Sequence, residues 1–391
     1  MPQPRTAVLV VAALAVPALA SCTDNASRAD GKGGTDDRTI TVTSTDTSCE
    51  LSTDQAPSGN LVYKVKNAGS KVTEFYLYGE EGTRIVGEVE NVGPGLTRDL
   101  VLNVPPGKYV PACKPGMAGK GIRSDFTVVD SGKKGAVHGV SKQQLATASA
   151  RYEAYVRAQI DQLLAGTKAF VAAYKAGDDA EARSLYAPTR VHWERIEPVA
   201  ESFGDLDPRM DARQADLAQG QKWTGWHRIE KDLWPPKGEH YTPLTKRQRG
   251  AYADQLLSDT RTLHGRVQKL AFTVDQIGNG AKSLLDEVAK TKITGEEEAW
   301  SHTDLYDFAA NVDGARVAYE GLLPILSDKD PVLAKEIQQR FAELQKLLDR
   351  YRSGQGYLSY TKLSKPEVRQ LSNAVNALSE PLSRLTAAVA L

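Results

Sequence analysis

The chain has few of the residues from which hydrolytic active sites are usually built. Only three cysteines and six histidines occur among its 391 residues. It contains neither a His-Glu-x-x-His nor a Gly-x-Ser-x-Gly sequence, and Lys231 follows Glu230 where an inverted zinc-peptidase motif needs a second histidine. These absences argue against a peptidase, and we predict a binding protein rather than an enzyme.

Two further absences limit the partners and cofactors of the chain. Its 49 basic and 49 acidic residues give a formal net charge of zero, which argues against a nucleic-acid partner. No histidine occurs between Cys22 and His138. An ordinary blue-copper centre needs two histidines and a cysteine, so that type of centre is excluded from this region.

The N-terminus has the features of a bacterial lipoprotein signal. Residues 7–20 form an apolar run, which is shorter than the about twenty residues that span a bilayer. The following Leu19-Ala20-Ser21-Cys22 resembles a lipobox, with a plain secretory cleavage site as the alternative. Residues 23–37 contain almost no apolar side chains and suit a flexible tether. We therefore expect a signal peptide over 1–22, a lipid on Cys22, and an extracytoplasmic protein anchored to the outer face of the cell membrane.

Residues 38–130 have the pattern of a β-domain. Short segments rich in β-branched and aromatic residues alternate with turn sequences such as Val104-Pro-Pro-Gly107. The predicted strands cover 39–43, 59–66, 73–78, 84–89, 97–103, 107–112 and 123–129. This regular spacing predicts a Greek-key β-sandwich.

A linker over residues 131–140 separates this region from a helical domain over 141–391. A first helix, ending at Gly177, is predicted by the apolar stripe of Tyr152, Val156, Ile160, Leu163 and Phe170. Pro188 is expected to open another helix, and Asp207-Pro208 to begin a third. Later helices are predicted over 244–276, 279–290, 302–322, 328–352 and 365–389. Two packed helical bundles are the expected architecture.

The segment from Trp223 to Trp234 contains the clearest candidate for a metal site. It places His227 and Glu230 three residues apart. Residues at this spacing share a helix face, so an imidazole and a carboxylate can converge on one ion. We predict that both are metal ligands.

An acidic segment upstream adds further candidate ligands. Glu194, Glu197 and Glu201 fall at helical spacing and Asp205 follows them. A metal site inside a helical bundle could use all four carboxylates. Pro198 interrupts this helix, because it cannot donate a hydrogen bond to Glu194. The alternative is that these acids pair with basic residues on a solvated face, with Arg190, Arg195 and Arg228 as the partners.

Three segments of the helical region carry a resemblance to a known family. They are residues 186–205, residues 223–234 and Asp304-Leu-Tyr-Asp-Phe-Ala-Ala-Asn-Val-Asp-Gly314. Together they resemble the imelysin-like domain of EfeO-type iron-uptake lipoproteins, a family once labelled as peptidases, and His227 and Glu230 correspond to its His-x-x-Glu motif. Residues 38–130 resemble the cupredoxin-like module of this family more loosely.

The resemblance implies a function in iron uptake. A protein of this family is expected to bind iron, as Fe³⁺ or Fe²⁺, outside the membrane and to pass it to a membrane permease. A haem-peroxidase-like protein is a further expected partner. Within the third segment, Asp304, Asp307, Asn311 and Asp313 are expected to be structural or to support the ligands from behind. His192 lies two residues from Glu194, so it points to a different helix face and is not expected to bind the metal.

The cysteines of the β-domain leave two interpretations open. In an oxidising compartment, Cys49 and Cys113 are expected to form a disulfide. The resemblance implies instead a copper or iron site formed by Cys49, Cys113, Glu74 and either Met117 or Glu90. Such a site could oxidise ferrous iron, which makes a metal-dependent oxidase the alternative function, ahead of a peptidase. A purely structural surface lipoprotein is the third class.

Overall fold

The computed structural model describes residues 38–390, except 81, 83–84, 118, 132–139, 218–219, 237, 239 and 291. The predicted signal peptide, Cys22, the tether and most of the predicted linker lie outside the described residues. Within the described residues, none of the helices combines the length and the apolar character needed to cross a membrane.

In the described part of the N-terminal region, ten strands form two sheets. They are β1 (Thr39–Ser44), β2 (Cys49–Leu51), β3 (Gln55–Pro57), β4 (Gly59–Asn67), β5 (Thr73–Gly79), β6 (Ile85–Val92), β7 (Thr97–Val104), β8 (Gly107–Cys113), β9 (Ile122–Arg123) and β10 (Phe126–Val129). One sheet has the order β2-β1-β4-β7, and the other has the order β3-β10-β8-β5-β6 with β9 on β8. All seven predicted strands are present, and β2, β3 and β9 are additional short strands.

The two sheets pack against each other through a shared apolar core. Strand β4 alternates buried and more exposed residues, which is the pattern of a strand with one face in a core. Tyr63 of this strand contacts the rings of Phe75 and Phe126 on the other sheet, with ring centroids 5.4 and 5.9 Å apart. The predicted sandwich of β-strands is therefore confirmed as two packed sheets.

A disulfide between Cys49 and Cys113 joins β2 of one sheet to β8 of the other. Of the two interpretations of these cysteines, this is the one that the structure adopts. Neither sulfur is then a free thiolate, so the pair does not provide metal ligands in this state. The cross-link closes a sequence separation of 64 residues.

We expect the double variant Cys49→Ser/Cys113→Ser to lower the free energy of unfolding of the β-region by about 4 kcal/mol, because the cross-link no longer restricts the unfolded chain. Urea unfolding of the purified full chain measures this difference. The wild-type chain in a thiol reductant should show the same loss. An unchanged unfolding midpoint in both cases would contradict the prediction.

Among the described residues, ten α-helices follow the β-region. They are α1 (Lys142–Ala176), α2 (Asp179–Glu194), α3 (Leu206–Asp211), α4 (Trp226–Leu233), α5 (Lys246–Val267), α6 (Val274–Lys290), α7 (Asp304–Lys329), α8 (Pro331–Leu348), α9 (Lys365–Leu382) and α10 (Leu385–Ala390). Short 3-10 helices include Glu197–Phe203 after α2 and Lys292–Thr294 after α6. The predicted division into a β-region followed by a largely helical domain is confirmed.

The long helices form two groups that share one core. Helices α1, α2 and α5 pack together, as do α6, α7, α8 and α9, and α2 lies against α7 between the groups. The buried apolar residues of both groups form a continuous cluster. Two predicted helix starts are wrong: Pro188 lies inside α2, and α3 begins at Leu206 with Asp205 at its N-cap. The apolar packing of α2 continues across Pro188, which overrides the local signal.

The β-region docks onto helix α6 through polar contacts. Asp275 accepts a hydrogen bond from the backbone N–H of Asn103 at 3.0 Å, and the Asn279 amide donates to the carbonyl of Val101 at 2.9 Å. Nearby, Glu88 of β6 shares a hydrogen bond with Glu201 of the helical region, and burial raises the pKa of both carboxyl groups. Two carboxyl groups that share one proton carry one negative charge between them, so both can lie side by side at this interface.

Close packing of α6 against the 3-10 helix Glu197–Phe203 depends on a glycine. A Cβ at Gly280 would lie 1.8 Å from the carbonyl oxygen of Pro198, which real contacts do not allow. At Gly250, in α5, a Cβ would meet no atom within 4 Å. The space available to a Cβ therefore differs between these two helical glycines.

We expect Gly280→Ala to lower the free energy of unfolding by about 2 kcal/mol, because the added methyl group pushes α6 away from the turn that carries Glu197 and Glu201. Gly250→Ala is the matched control and should be neutral or stabilising by about 0.5 kcal/mol, since alanine favours a helix. Thermal and urea unfolding of both variants compare the two effects. Equal stability of the two variants would show that the contact at Pro198 is not tight.

Candidate metal centre

Helix α4 carries His227 and Glu230 into the interior of the helical domain. Gly225 precedes the helix with φ 88°, and a Cβ there would lie 2.0 Å from the carbonyl oxygen of Met210. This close approach sets α4 against the end of α3. Both His227 and Glu230 are fully buried. The predicted convergence of the two side chains is therefore present.

Glu230 lies within hydrogen-bond distance of one nitrogen of the His227 ring. The Nδ1 atom of His227 lies 3.2 Å from Oε2 of Glu230. The other carboxylate oxygen accepts hydrogen bonds from the backbone N–H groups of Trp300 and Ser301, at 2.9 and 2.7 Å. Both oxygens of Glu230 are thus engaged, and the carboxylate fixes the orientation of the imidazole.

The other ring nitrogen, Nε2, points at two further carboxylates. Asp211 Oδ1 lies 3.4 Å from it and Glu297 Oε1 lies 3.8 Å from it. Nε2 is buried and makes no hydrogen bond. The candidate ligand atoms of Asp211, His227 and Glu297 all lie within 4.8 Å of one another, which is the spacing of a metal site.

A second group of candidate ligands lies on the Nδ1 side, formed by His227, Glu230 and Glu298. Glu298 Oε1 is 4.0 Å from Nδ1. Its two oxygens have other partners, because Oε1 lies 2.7 Å from Arg190 Nε and Oε2 accepts from the Ser301 hydroxyl at 2.7 Å. On the Nε2 side, Asp211 is engaged as well, because Arg190 pairs with Oδ1 and the Trp193 indole donates to Oδ2 at 2.8 Å. The most available oxygen near the ring is Oε1 of Glu297, which lies 3.8 Å from Nε2.

The charge of His227 depends on these neighbours. Burial and the nearby Arg190 favour the neutral ring, but interactions with Glu230, Glu297 and Asp211 outweigh them and raise the pKa of His227 to about 10. The metal-free ring therefore carries a proton at neutral pH. A metal ion would take the place of this proton on Nε2.

Arg190, in α2, is a permanent cation at the centre of the carboxylates. Its guanidinium is fully buried and forms ion pairs with Glu194 and Asp211. It also lies 3.6 Å from Asp307 and 3.8 Å from Glu297. A buried guanidinium lowers the cost of placing so many carboxylates together.

Lys292 is a further buried cation, and its side chain is 1% exposed. Its ammonium lies 2.9 Å from Glu194 Oε2 and 2.7 Å from Glu197 Oε2. The amide of Asn311 donates to the same two carboxylates, at 3.0 and 2.6 Å. Glu194 and Glu197 therefore lie beside the site and are already bound by a lysine and an amide.

Two of the predicted ligands lie away from the site. Helix α2 ends at Glu194, and the chain continues into a 3-10 helix with a non-helical residue at Val199. The helical spacing on which the prediction depended is lost there. Glu201 consequently turns toward Glu88 at the β-interface, and Asp205 is 59% exposed in its side chain and pairs with Arg209 and Arg266.

The alternative interpretation of the acidic segment is present in part. Arg190 does pair with Glu194, although in the interior and not on a solvated face. Arg195 pairs with Asp313, at 3.3 Å. Asp304, Asp307 and Asn311 are buried: Asp304 accepts from the backbone N–H of Glu298 at 3.0 Å, Asp307 lies 3.6 Å from Arg190, and the Asn311 amide donates to Glu194 at 3.0 Å. His192 hydrogen-bonds Gln159 at 2.8 Å and does not reach the cluster.

Sequence reasoning missed Asp211, Glu297 and Glu298. Glu297 and Glu298 belong to the run Glu296-Glu297-Glu298, which is visible in the sequence as a charge cluster in a turn region. Asp211 ends α3 and carries no such signal. Only the packing of α3, α4 and this turn brings the three residues to His227.

The carboxylates proposed for the β-domain site face the helical domain. The Tyr76 hydroxyl lies within hydrogen-bond distance of both carboxylates, 3.1 Å from Glu74 and 3.2 Å from Glu90. Met117 lies in the 3-10 turn Pro115–Met117. Glu74 and Glu90 line a cavity of about 530 Å³ between the two regions, whose acidic walls also include Glu88, Glu197, Glu201, Asp207, Asp211, Glu287 and Glu297.

A second cavity of about 430 Å³ reaches His227 from the side of Trp300 and Glu296. Glu297 and Arg213 line both this cavity and the cavity between the two regions. Arg213 Nη1 lies 3.3 Å from Glu297 Oε2. Glu297 and Arg213 therefore lie between the two cavities, and the buried His227 lines the second of them.

Comparisons with known proteins agree with this architecture. A family model described as Imelysin (Peptidase_M75) matches residues 148–385. The iron uptake system component EfeO of Escherichia coli strain K12 is 37% identical over 351 residues, which cover 88% of this chain and 90% of that protein. EfeO of Shigella flexneri has the same identity and coverage, and EfeO of Escherichia coli O157:H7 is 38% identical.

The names of these relatives describe an uptake component and not an enzyme, which agrees with the prediction that the chain is not an enzyme. The family model covers more than half of the chain, and the EfeO relatives align with nearly all of it. The chain therefore belongs to the imelysin family and, within it, to the EfeO-type proteins.

Proposed function

We propose that this protein binds iron as a component of an iron uptake system and delivers it to a membrane permease. The observation that carries the proposal is the buried Nε2 atom of His227, which has no hydrogen-bond partner and faces Asp211 and Glu297. The names of the EfeO relatives support iron as the cargo.

The chemistry of the donor atoms fits ferric iron. Fe³⁺ is a hard cation that prefers carboxylate oxygens and also accepts an imidazole nitrogen. Asp211, His227 and Glu297 would supply two carboxylates and one imidazole. Glu230 would hold the ring from behind, because both of its oxygens are already engaged. Of the two residues of the sequence motif, His227 would bind the iron and Glu230 would orient the His227 ring.

The cavities on either side of the centre support binding and release as separate events. An ion could enter from one side and leave from the other, since Glu297 and Arg213 line both cavities. We further propose that the protein works outside the cytoplasm, held to the membrane by a lipid on Cys22. A permease, and a haem-peroxidase-like protein of the same system, are the proposed partners.

An oxidase at the β-domain cysteines is not proposed. Cys49 and Cys113 are joined in the disulfide, so they offer no thiolate to copper or iron. Glu74 and Glu90 are hydrogen-bonded to Tyr76.

We expect His227→Ala to weaken the binding of ferric citrate by the metal-stripped protein by at least about 100-fold, because the one imidazole in the ligand group is lost. Isothermal titration calorimetry measures the affinity. His192→Ala is the control, since His192 lies outside the cluster and should leave binding unchanged. Equal affinities of the wild-type and His227→Ala proteins would move the iron site elsewhere.

A second pair of variants distinguishes the two faces of His227. Glu297→Gln should weaken ferric binding by at least about tenfold, because it removes a carboxylate that faces Nε2. Glu298→Gln should change the affinity by less than about threefold, because the glutamine oxygen can still accept from Tyr186 and the side chain lies on the Nδ1 side. The reverse order would place the iron on the Nδ1 side with Glu230 and Glu298 as ligands.

A further inference from the structure

Lys292 occupies a position beside the proposed iron site that resembles the position of a bound cation. It begins the 3-10 helix Lys292–Thr294, and its side chain is buried. The ammonium lies 2.8 and 2.7 Å from the two oxygens of Glu197 and 2.9 Å from Glu194. Three contacts with carboxylate oxygens therefore surround a charge that is taken out of water.

The same ammonium also faces a proposed iron ligand. Lys292 Nζ lies 3.6 Å from Glu297 Oε1, and that oxygen lies 3.8 Å from His227 Nε2. One carboxylate oxygen therefore lies between the lysine and the proposed metal position. Iron bound to Glu297 would be a like-charged neighbour of the ammonium at short range, in an interior that screens charge poorly.

The lysine also has an evident role when no iron is bound. Glu194, Glu197 and Glu297 would repel one another in the interior if no cation stood among them. Arg190 and Arg213 also lie near Glu297, at 3.8 and 3.3 Å. The nitrogens of Arg190 already face Asp211, Glu194 and Glu298, and Arg213 also pairs with Asp216, whereas Lys292 contacts both Glu194 and Glu197. Lys292 thus keeps the carboxylates assembled while the site awaits its ion.

We infer that Lys292 is a tethered counter-cation that holds the carboxylates in place without iron and weakens the binding of iron once it arrives. This inference rests on the proposed function. A component that passes its cargo on must release it, and an opposing positive charge built into the site lowers the free energy needed for release. Lys292 is in this sense a positioning residue that sets affinity and does not itself bind iron.

A purely structural ion pair makes a different prediction. It would lower stability when removed and would leave the affinity for iron unchanged, or reduced because the site is less ordered. The tethered counter-cation predicts the opposite sign for affinity. The removal of Lys292 should destabilise the metal-free protein and tighten its binding of iron.

The test compares Lys292→Met with the wild-type protein by calorimetric titration with ferric citrate and by thermal unfolding with and without iron. Lys292→Met should bind at least about tenfold more tightly, because a positive charge next to the ion is gone. Iron should also raise its Tm by more than it raises the wild-type Tm. Lys292→Arg, which keeps the charge, should not show the tenfold gain.

Lys282→Met is the matched control. Lys282 is also a largely buried lysine, and it pairs with Asp286, which in turn lies 3.8 Å from Arg98 of β7 at the β-interface. This variant should lose stability without any gain in affinity. A gain as large as that of Lys292→Met would show that loss of a buried lysine anywhere has the same effect, and would overturn the inference.

The outcomes separate this inference from the proposed function. If the wild-type protein does not bind ferric iron, the proposed function fails. If the wild-type protein binds and Lys292→Met binds equally or more weakly, only the inference fails.

If Lys292→Met does not fold, Lys292→Met/Glu197→Gln is compared with Glu197→Gln, because the double variant removes one charge of each sign. The double variant should then bind iron more tightly than Glu197→Gln, and equal affinity would overturn the inference.

Discussion

The helical domain depends on the balance between buried carboxylates and the buried cations that lie among them. Burying one unpaired carboxylate costs several kcal/mol, and this interior contains Glu194, Glu230, Glu298 and Asp307 without exposure. Arg190 and Lys292 lie among these groups. Burial and neighbouring negative charge raise the pKa values of Glu298 and Asp307 well above the usual values of these side chains. Charge pairing and proton uptake together make the cluster compatible with a folded core. A binding site for a highly charged cation follows from the same balance, since carboxylates that need compensation will also attract a metal ion.

The scaffold around the cluster holds its members by apolar packing and close backbone contacts. Residues from α2, α3, α4 and the turn at 297–301 converge on His227, and each segment is held from outside by the continuous core of the domain. Gly225 allows α4 to approach α3, and Gly314 of α7 allows a similar approach to Arg195, where a Cβ would lie 2.4 Å from the carbonyl oxygen. The geometry of the site is therefore a property of the whole helical fold. The β-region contributes the opposite wall of the acidic cavity, so the two regions together shape the access to the centre.

His227 divides the cluster into two halves with different roles. Its Nδ1 atom faces Glu230, which the backbone of Trp300 and Ser301 holds in place. Its Nε2 atom faces Asp211 and Glu297, with no hydrogen bond made. An imidazole that is fixed on one side and available on the other is the usual arrangement of a histidine that binds a metal. The motif that first attracts attention in the sequence thus contains one proposed ligand and the group that orients it.

The sequence by itself determined the local features of this protein. Alternating and helical periodicities fixed the change from β-strands to helices near residue 140, because burial of one face imposes a period of two or of about 3.6. The spacing of His227 and Glu230 was sufficient to place them together, since a helix sets the geometry of residues three apart. The cysteines left two states open. Only the tertiary structure chose the disulfide, turned Glu201 and Asp205 away after the break at Val199, and brought Asp211 and Glu297 to His227. These last contacts join segments that are far apart in the chain, and no local periodicity records which segments will pack against each other.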